Sequence, residues 1–335
     1  MLVLENNNIR FIFSHCQQCG FCENVCPTRA ILMHQRNDGL SDIIIEQDKC
    51  IRCQKCIKVC PSVNSELSKE YLSSLFNKKY YLGYNQDELI RRESSSGGVC
   101  KTLIIEGLES GYVDGVYSLK KCEEYPQAKS EFYTSQNIPS YFDIPNSVYH
   151  SVMMGRHFKK VGKCNRLIVG TPCQLKVMEK MLKDKYQELI KVCIFCKQQK
   201  TLNSTRFLAK VMKTKVPVNL LFTVCYRGKG WPGIVNVDGA QLSWNKAAQL
   251  PFGRRLWTVP GGNICGDPFG MEANADITLM DPWIIRGAND LGETLITVHT
   301  EKGLSLLQRV PNLTLMPQKY NDIEPALGLT DIRRK

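Results

Sequence analysis

The sequence predicts two fold classes in tandem: a small α+β module at the N-terminus, then a larger α/β domain. Three observations carry this reading. A cysteine run, Cys16-x-x-Cys19-x-x-Cys22-x-x-x-Cys26-Pro27, recurs as Cys50-x-x-Cys53-x-x-Cys56-x-x-x-Cys60-Pro61, with a hairpin pattern between the two copies. From Lys79 onward short apolar runs alternate with helix-compatible segments, the signature of an α/β arrangement. A chain of 335 residues is long enough for about two domains with a sizeable core.

In the module, Ala30 to Met33 and Asp42 to Ile45 flank the turn-rich Gln35-Arg36-Asn37-Asp38-Gly39. The polar, helix-compatible stretch after Pro61 reads as a linker, so the expected units are 1–66 for the module, 67–79 for the linker and 80–335 for the α/β domain. Strands are expected at Tyr80 to Tyr84, Val113 to Leu119, Arg166 to Val169, Leu189 to Ile194, Ile277 to Met280 and Leu295 to His299. Helices are expected at Ser96 to Gly107 and Gln174 to Lys185. Pro217 to Pro268, rich in Gly, Pro and Trp, reads as loops that cover a site.

Composition narrows the function classes. Apolar runs such as Leu167 to Gly170 are far shorter than the roughly 18 residues a membrane span needs. The first residues lack a basic start and a small-residue cleavage site, so a cytoplasmic, reducing location is expected. In that setting sixteen cysteines point to metal ligation before disulfides. The formal charge of +12 falls to roughly +8 if eight thiolates hold two cubanes of about −2 each. The remaining basic residues occur as pairs such as Arg91-Arg92, without a long run or interleaved aromatics, which argues against nucleic acid and for a solvated surface or an acidic protein partner.

The spacing of the repeat carries the chemistry. Three cysteines at intervals of three wrap one 4Fe-4S cube, and the fourth, followed by proline, reaches the other cube. Cluster one is then assigned to Cys16, Cys19, Cys22 and Cys60, and cluster two to Cys50, Cys53, Cys56 and Cys26. A zinc ribbon would also use Cys-x-x-Cys, but it needs neither the third cysteine at the same interval nor the trailing Cys-Pro. The module thus resembles a bacterial two-cluster ferredoxin, which moves single electrons.

Further on, Ser94-Ser95-Ser96-Gly97-Gly98-Val99, Val169-Gly170-Thr171-Pro172-Cys173-Gln174, Phe195-Cys196, Tyr226-Arg227-Gly228-Lys229-Gly230-Trp231 and Ala275-Asp276-Ile277-Thr278-Leu279-Met280-Asp281 follow in order. Together they resemble the coenzyme F420 hydrogenase/dehydrogenase beta-subunit family over roughly residues 80 to 310. The resemblance implies an α+β ferredoxin-like module followed by an α/β flavin-binding domain, and an iron–sulfur flavoprotein that binds FAD. Ser95, Ser96, Gly97 and Gly98 would lie at the flavin, with Arg227 and Lys229 holding its phosphates or stabilising its reduced form. A third 4Fe-4S cluster would use Cys173, Cys196 and Cys265. Its last ligand departs from the family pattern, which leaves Asp267, Cys193 or Cys225 as the replacement, or no third cluster. Where relatives carry Ser-Lys-Tyr-x-Gln-Ser, this chain reads Ser147-Val148-Tyr149-His150-Ser151, and His150 becomes a candidate proton donor near the flavin.

The function implied is an oxidoreductase. Electrons would pass between a carrier protein such as a ferredoxin, or another subunit of a redox complex, the clusters and FAD, and so reduce or oxidise a small molecule or coenzyme, F420-like or other. The alternative is a non-enzymatic electron-transfer subunit of a larger redox complex.

Overall fold

The computed structural model describes residues 9–63, 71–123, 126–158, 164–182, 186–214, 223–247, 249–285 and 290–333. Strands β1 (Ile31–Gln35) and β2 (Ser41–Ile45) pair antiparallel, with Ile31 opposite Ile45 and Gln35 opposite Ser41. Alternation turns Ile31, Met33 and Ile43 inward, where they meet Ile9, Ile12 and Ile57, with Cys16 and Cys56 in the same small core. Each cysteine run closes in one short helix, Phe21–Val25 and Lys55–Val59. The two halves bend alike: Gln18 and Arg52 have φ of 55° and 53°, and Gly20 and Gln54 have 77° and 60°. Equal spacing has produced equal backbone.

The remaining strands are β3 (Lys79–Asn85), β4 (Gly115–Lys121), β5 (Ala128–Tyr133), β6 (Cys164–Gly170), β7 (Tyr186–Ile194), β8 (Val224–Cys225), β9 (Ile234–Val237), β10 (Ala240–Ser243), β11 (Ile277–Met280), β12 (Thr294–Val298) and β13 (Leu313–Gln318). Eight of them form one mixed sheet in the order β13-β3-β12-β11-β7-β6-β4-β5. Its centre is parallel, β4 to β6 to β7 to β11. Antiparallel strands extend both edges. Central strands covered on both faces should be apolar throughout, and every residue of β11 and β12 is buried.

Helices Val99–Glu109 and Glu301–Gln308 cover one face, packing Leu103, Ile104 and Leu306 against Val116, Leu167, Val169 and Val192. On the other face the helix Pro172–Leu182 sets Leu175, Met178 and Leu182 against Ile168 and Leu189. Phe21 of the cysteine module enters this second core, so the module sits on the sheet through apolar contact. A third core joins Leu72 and Leu75 to Tyr80, Leu295, Ile323 and Leu327.

Several sequence expectations shift. The helix after the serines starts at Val99, not Ser96, and its N-cap is Gly98 at φ 80° with no side-chain cap bond. Of the stretch read as a linker, 71–77 is helical and buries Leu72 and Leu75, and 67–70 lies outside the described residues. The segment read as loops holds a three-stranded sheet, β10-β9-β8, and its own core of Leu208, Tyr226, Val235, Val237 and Trp244; 217–222 lies outside the described residues. Strands β5 and β13 escape a pattern search because one is largely polar (AKSEFY) and the other contains Pro317, which an edge strand tolerates.

Candidate redox site

Cys16, Cys19, Cys22 and Cys60 line one cavity of the module, closed by Ile9, Ile12, Phe21 and Val177. Cys26, Cys50 and Cys53 line a second with Cys56, which borders both, and its wall includes Ile31, Ile45, Ile51, Arg52 and Lys55. The fourth cysteine of each run therefore faces the other run's cavity. Cys60 acts electrostatically on Cys16 and Cys22, and Cys26 on Cys56.

The residues fit iron–sulfur cubes on two further counts. Backbone N–H groups already point at sulfur, from Gln18 to Cys16 Sγ at 3.3 Å and from Ala30 to Cys26 Sγ at 3.2 Å. Burial pushes the Cys16 thiol up to about 11 and those of Cys19 and Cys22 well above the ordinary range, so these groups would ionise only on a concentrated positive centre. At Cys26 burial opposes ionisation, but hydrogen bonds from Thr28, Ala30 and Ile31 outweigh it and lower the thiol. Among the described residues no three His, Cys, Asp or Glu side chains close on a single metal ion, as a structural zinc site would require.

The module meets the sheet domain where two glycines allow backbone to touch backbone. Gly155 N–H donates to Cys19 O at 2.8 Å, and Gly261 N–H to Cys16 O at 3.0 Å. A Cβ at Gly155 would lie 2.3 Å from Phe21 N, and one at Gly261 2.4 Å from His15 O. Any other residue would push the first cysteine loop away.

Beyond this junction lie the other predicted thiols. Cys173 opens the helix Pro172–Leu182 after β6, Cys196 follows β7, and Cys265 follows the helix Pro260–Ile264. Cys173 interacts electrostatically with Cys265, and Cys193 with Cys196 and Cys173. The Cys196 N–H donates to Pro268 O at 3.1 Å, tying two of the three loops together. Cys173 also acts on Cys19, so this group adjoins cluster one's cavity. The replacements for a fourth ligand separate. Asp267 uses both carboxylate oxygens to accept from Met271 and Glu272 N–H, at 2.9 and 3.0 Å, and so caps a turn. Cys225 is exposed and donates to Arg227 O. Cys193, fully buried, is the one that keeps company with the other thiols.

The serine–glycine turn is packed into the protein. Ser95 Oγ accepts from Ser147 N–H at 2.7 Å, and Ser96 Oγ donates to Glu293 O. Gly97 has φ 54°, and a Cβ there would sit 2.6 Å from Gly83 O; Gly98 follows at φ 80°. Arg227 is fully buried, and all five of its N–H bonds are spent. Nε donates to Pro232 O, Nη1 to Tyr149 Oη and Asp281 Oδ2, and Nη2 to Ser95 O and Asp281 Oδ1. Arg227 thus braces the turn against Asp281, the acid just past β11. Lys229, at φ 57°, is exposed.

His150 is also enclosed, with Nδ1 2.7 Å from Tyr226 Oη and Nε2 2.8 Å from Pro126 O. Burial lowers it to about 4, giving a neutral ring with both nitrogens occupied and no proton to offer a substrate. Residues that the sequence did not single out complete the frame. Arg91, expected on a solvated surface, is buried, donates from Nε to Gly292 O at 2.6 Å and pairs with Glu293 at 3.4 Å. Asp281 and Tyr149, both inside quoted motifs, carried no sign of their bond to Arg227.

Comparison with known proteins finds relatives of both parts of the chain. Residues 15–64 and 42–101 match two models of a 4Fe-4S dicluster domain. Residues 80–153 match the N-terminal, and 165–316 the C-terminal, domain of the coenzyme F420 hydrogenase/dehydrogenase beta subunit. The module is 36% identical over 58 residues to a ferredoxin-like protein in the nif region of Sinorhizobium fredii, spanning 16% of this chain and 83% of that protein. The fold is similar to a chain in a structure of the F420-reducing NiFe hydrogenase complex from Methanosarcina barkeri. That likeness has a TM-score of 0.53 at 16% identity and covers 76% of this chain and 87% of that one.

Proposed function

We propose, for a chain that belongs to the coenzyme F420 hydrogenase/dehydrogenase beta-subunit family and carries a 4Fe-4S dicluster domain, an oxidoreductase that relays electrons through its module into the α/β domain. There the electrons would serve a small molecule or coenzyme, or pass from it in the reverse direction. The observation that carries this is the electrostatic influence of Cys173 on Cys19, across the junction where the first cysteine loop is bonded to the domain. It sets a ligand of the inner module cluster beside the thiols at the ends of β6 and β7, where α/β sheets place their ligands.

In this reading Cys16, Cys19, Cys22 and Cys60 hold the inner cluster, and Cys26, Cys50, Cys53 and Cys56 the outer one. Cys173, Cys196 and Cys265, with Cys193, hold a third. When bound, iron–sulfur cubes supply one-electron steps at little structural cost. The chain's part is to fix spacing and exclude water. Gly155 and Gly261 hold the inner loop against the domain, and Ile9, Ile12 and Val177 keep its cavity dry.

Flavin fits the residues only in part. The Ser95 to Gly98 turn and exposed Lys229 are the candidates to meet FAD, but Arg227 is committed within the chain, and no step is assigned to the flavin. The likeness to a chain of a hydrogenase complex favours one second reading, a relay subunit without chemistry of its own. Anaerobic turnover of the isolated chain with reduced ferredoxin and with reduced F420, together with chromatography of heat-released flavin, separates the two. Turnover with stoichiometric FAD supports the enzyme. Clusters that reduce and reoxidise, without flavin and without turnover, would leave the relay.

A further inference from the structure

The two module cavities differ in what stands between them and water. Around the inner one the apolar wall of Ile9, Ile12 and Phe21, plus Val177 from the sheet domain, is buried, with half-buried Gln17 and Ser62 beside it. Around the outer one the wall includes Ile51, which is 65% exposed, and Arg52 and Lys55, both exposed. Cys50 and Cys53 line the same cavity as these three residues. The inner cavity faces the domain and the outer cavity faces solvent, so electrons exchanged with another protein cross at the loop 50–55.

That loop has a definite chemistry. Arg52 and Lys55 project from it, and Arg29, three residues after Cys26, is also exposed. Among the described residues none of these three has an ion-pair partner. Lys49 adds a cation already paired with Glu46, and Asp48 is the exposed acid of the loop. A bare isoleucine beside two unpaired cations, with a third on the loop after Cys26, suits a partner that brings carboxylates around a small apolar spot. Unlike charges would steer such a partner on approach, and Ile51 would supply the dry contact. The whole chain's charge, roughly +8 with both module cubes in place, acts in the same direction.

We propose that the loop around Ile51, with Arg29, Arg52 and Lys55, is the docking surface for an acidic one-electron carrier protein. This rests on the cluster reading above and adds to it the place and the partner. In the step itself one electron leaves the reduced carrier and enters the outer cube; the carrier is oxidised by one electron, the cube is reduced by one, and no bond or proton changes hands.

The test uses the full, cluster-loaded chain and a bacterial flavodoxin of strongly negative charge as probe. Binding is followed by calorimetry, and reduction of the clusters by stopped flow at rising ionic strength. The double variant Arg52→Glu/Lys55→Glu should bind at least tenfold more weakly and accept electrons at least tenfold more slowly at low salt, and the rate should no longer fall as salt is added. Reversal at Lys210 and Lys213, exposed cations on and after the helix Leu202–Val211, should change neither by more than twofold. Dithionite, a small reductant that needs no docking, should bleach the clusters of every variant equally. Wild-type binding and rate in the double variant would overturn the docking surface while the clusters stand. Failure of dithionite to bleach the wild-type chain would overturn the cluster reading, and the docking surface with it.

Discussion

Arg227 is a full guanidinium taken out of water, and the structure matches it with a carboxylate that accepts two of its bonds, at 2.8 and 3.1 Å. Such a pair adds little compared with an apolar replacement, but breaking it strands a charge. Asp281→Asn should cost roughly 3–5 kcal/mol, toward the lower end because the Asp281 side chain is 17% exposed. Anaerobic urea unfolding measures it, and a loss below about 1 kcal/mol would mean that Arg227 is held by its neutral partners alone. His150 gives a second prediction. Its ordinary value is 6.5 and burial lowers it to about 4, so the unfolded chain takes the proton first. Its contribution is intact above pH 6.5 and drains away toward pH 4, on the order of 3 kcal/mol in all. Unfolding free energies at pH 7.5, 6 and 5 should fall more steeply in the wild type than in His150→Phe; equal slopes would show that the folded ring takes up its proton as readily as the unfolded chain does. These two residues also mark what a sequence conceals. The duplicated spacing of the cysteines is a local property and was legible, whereas the fate of Arg91, Arg227 and His150 depends on which distant segments close over them.

At the scale of elements, the junction between module and sheet turns on Gly155 and Gly261. Their N–H groups reach the carbonyls of Cys19 and Cys16, and a methyl at either position would stand under 2.5 Å from backbone. The double variant Gly155→Ala/Gly261→Ala should therefore loosen the docking while each half keeps its fold. Limited proteolysis should cut between the module and the domain at least several-fold faster, with iron retained. Unchanged protection would place the hold elsewhere, for instance in Phe21 and its contact with Phe158 at 5.3 Å. Strand and helix order in the sheet domain was readable because the central strands are short apolar runs between turn residues. Its edges were not. A polar β5 and a proline-bearing β13 gain their places from neighbours, and the helix start moved to Val99 because glycine at φ 80°, not serine, turns the chain there. Neither glycine at the junction could be singled out, since nothing in the sequence tells that another backbone approaches.

Across the whole molecule, the thiols fall into three sets. One lines the outer cavity with Ile51, one lines the inner cavity with Val177 of the domain, and Cys173, coupled electrostatically to Cys19, belongs to the third. The central claim is that all three sets carry iron. Anaerobic iron and acid-labile sulfide analysis tests it most directly, on the wild type and on Cys173→Ala purified in parallel. We expect about twelve irons and as many sulfides per chain in the wild type, from three cubes of four, and about eight in the variant, the module's pair remaining intact. Wild-type chain with stoichiometric zinc and little iron, or a Cys173→Ala variant with the same iron content as the wild type, would contradict it.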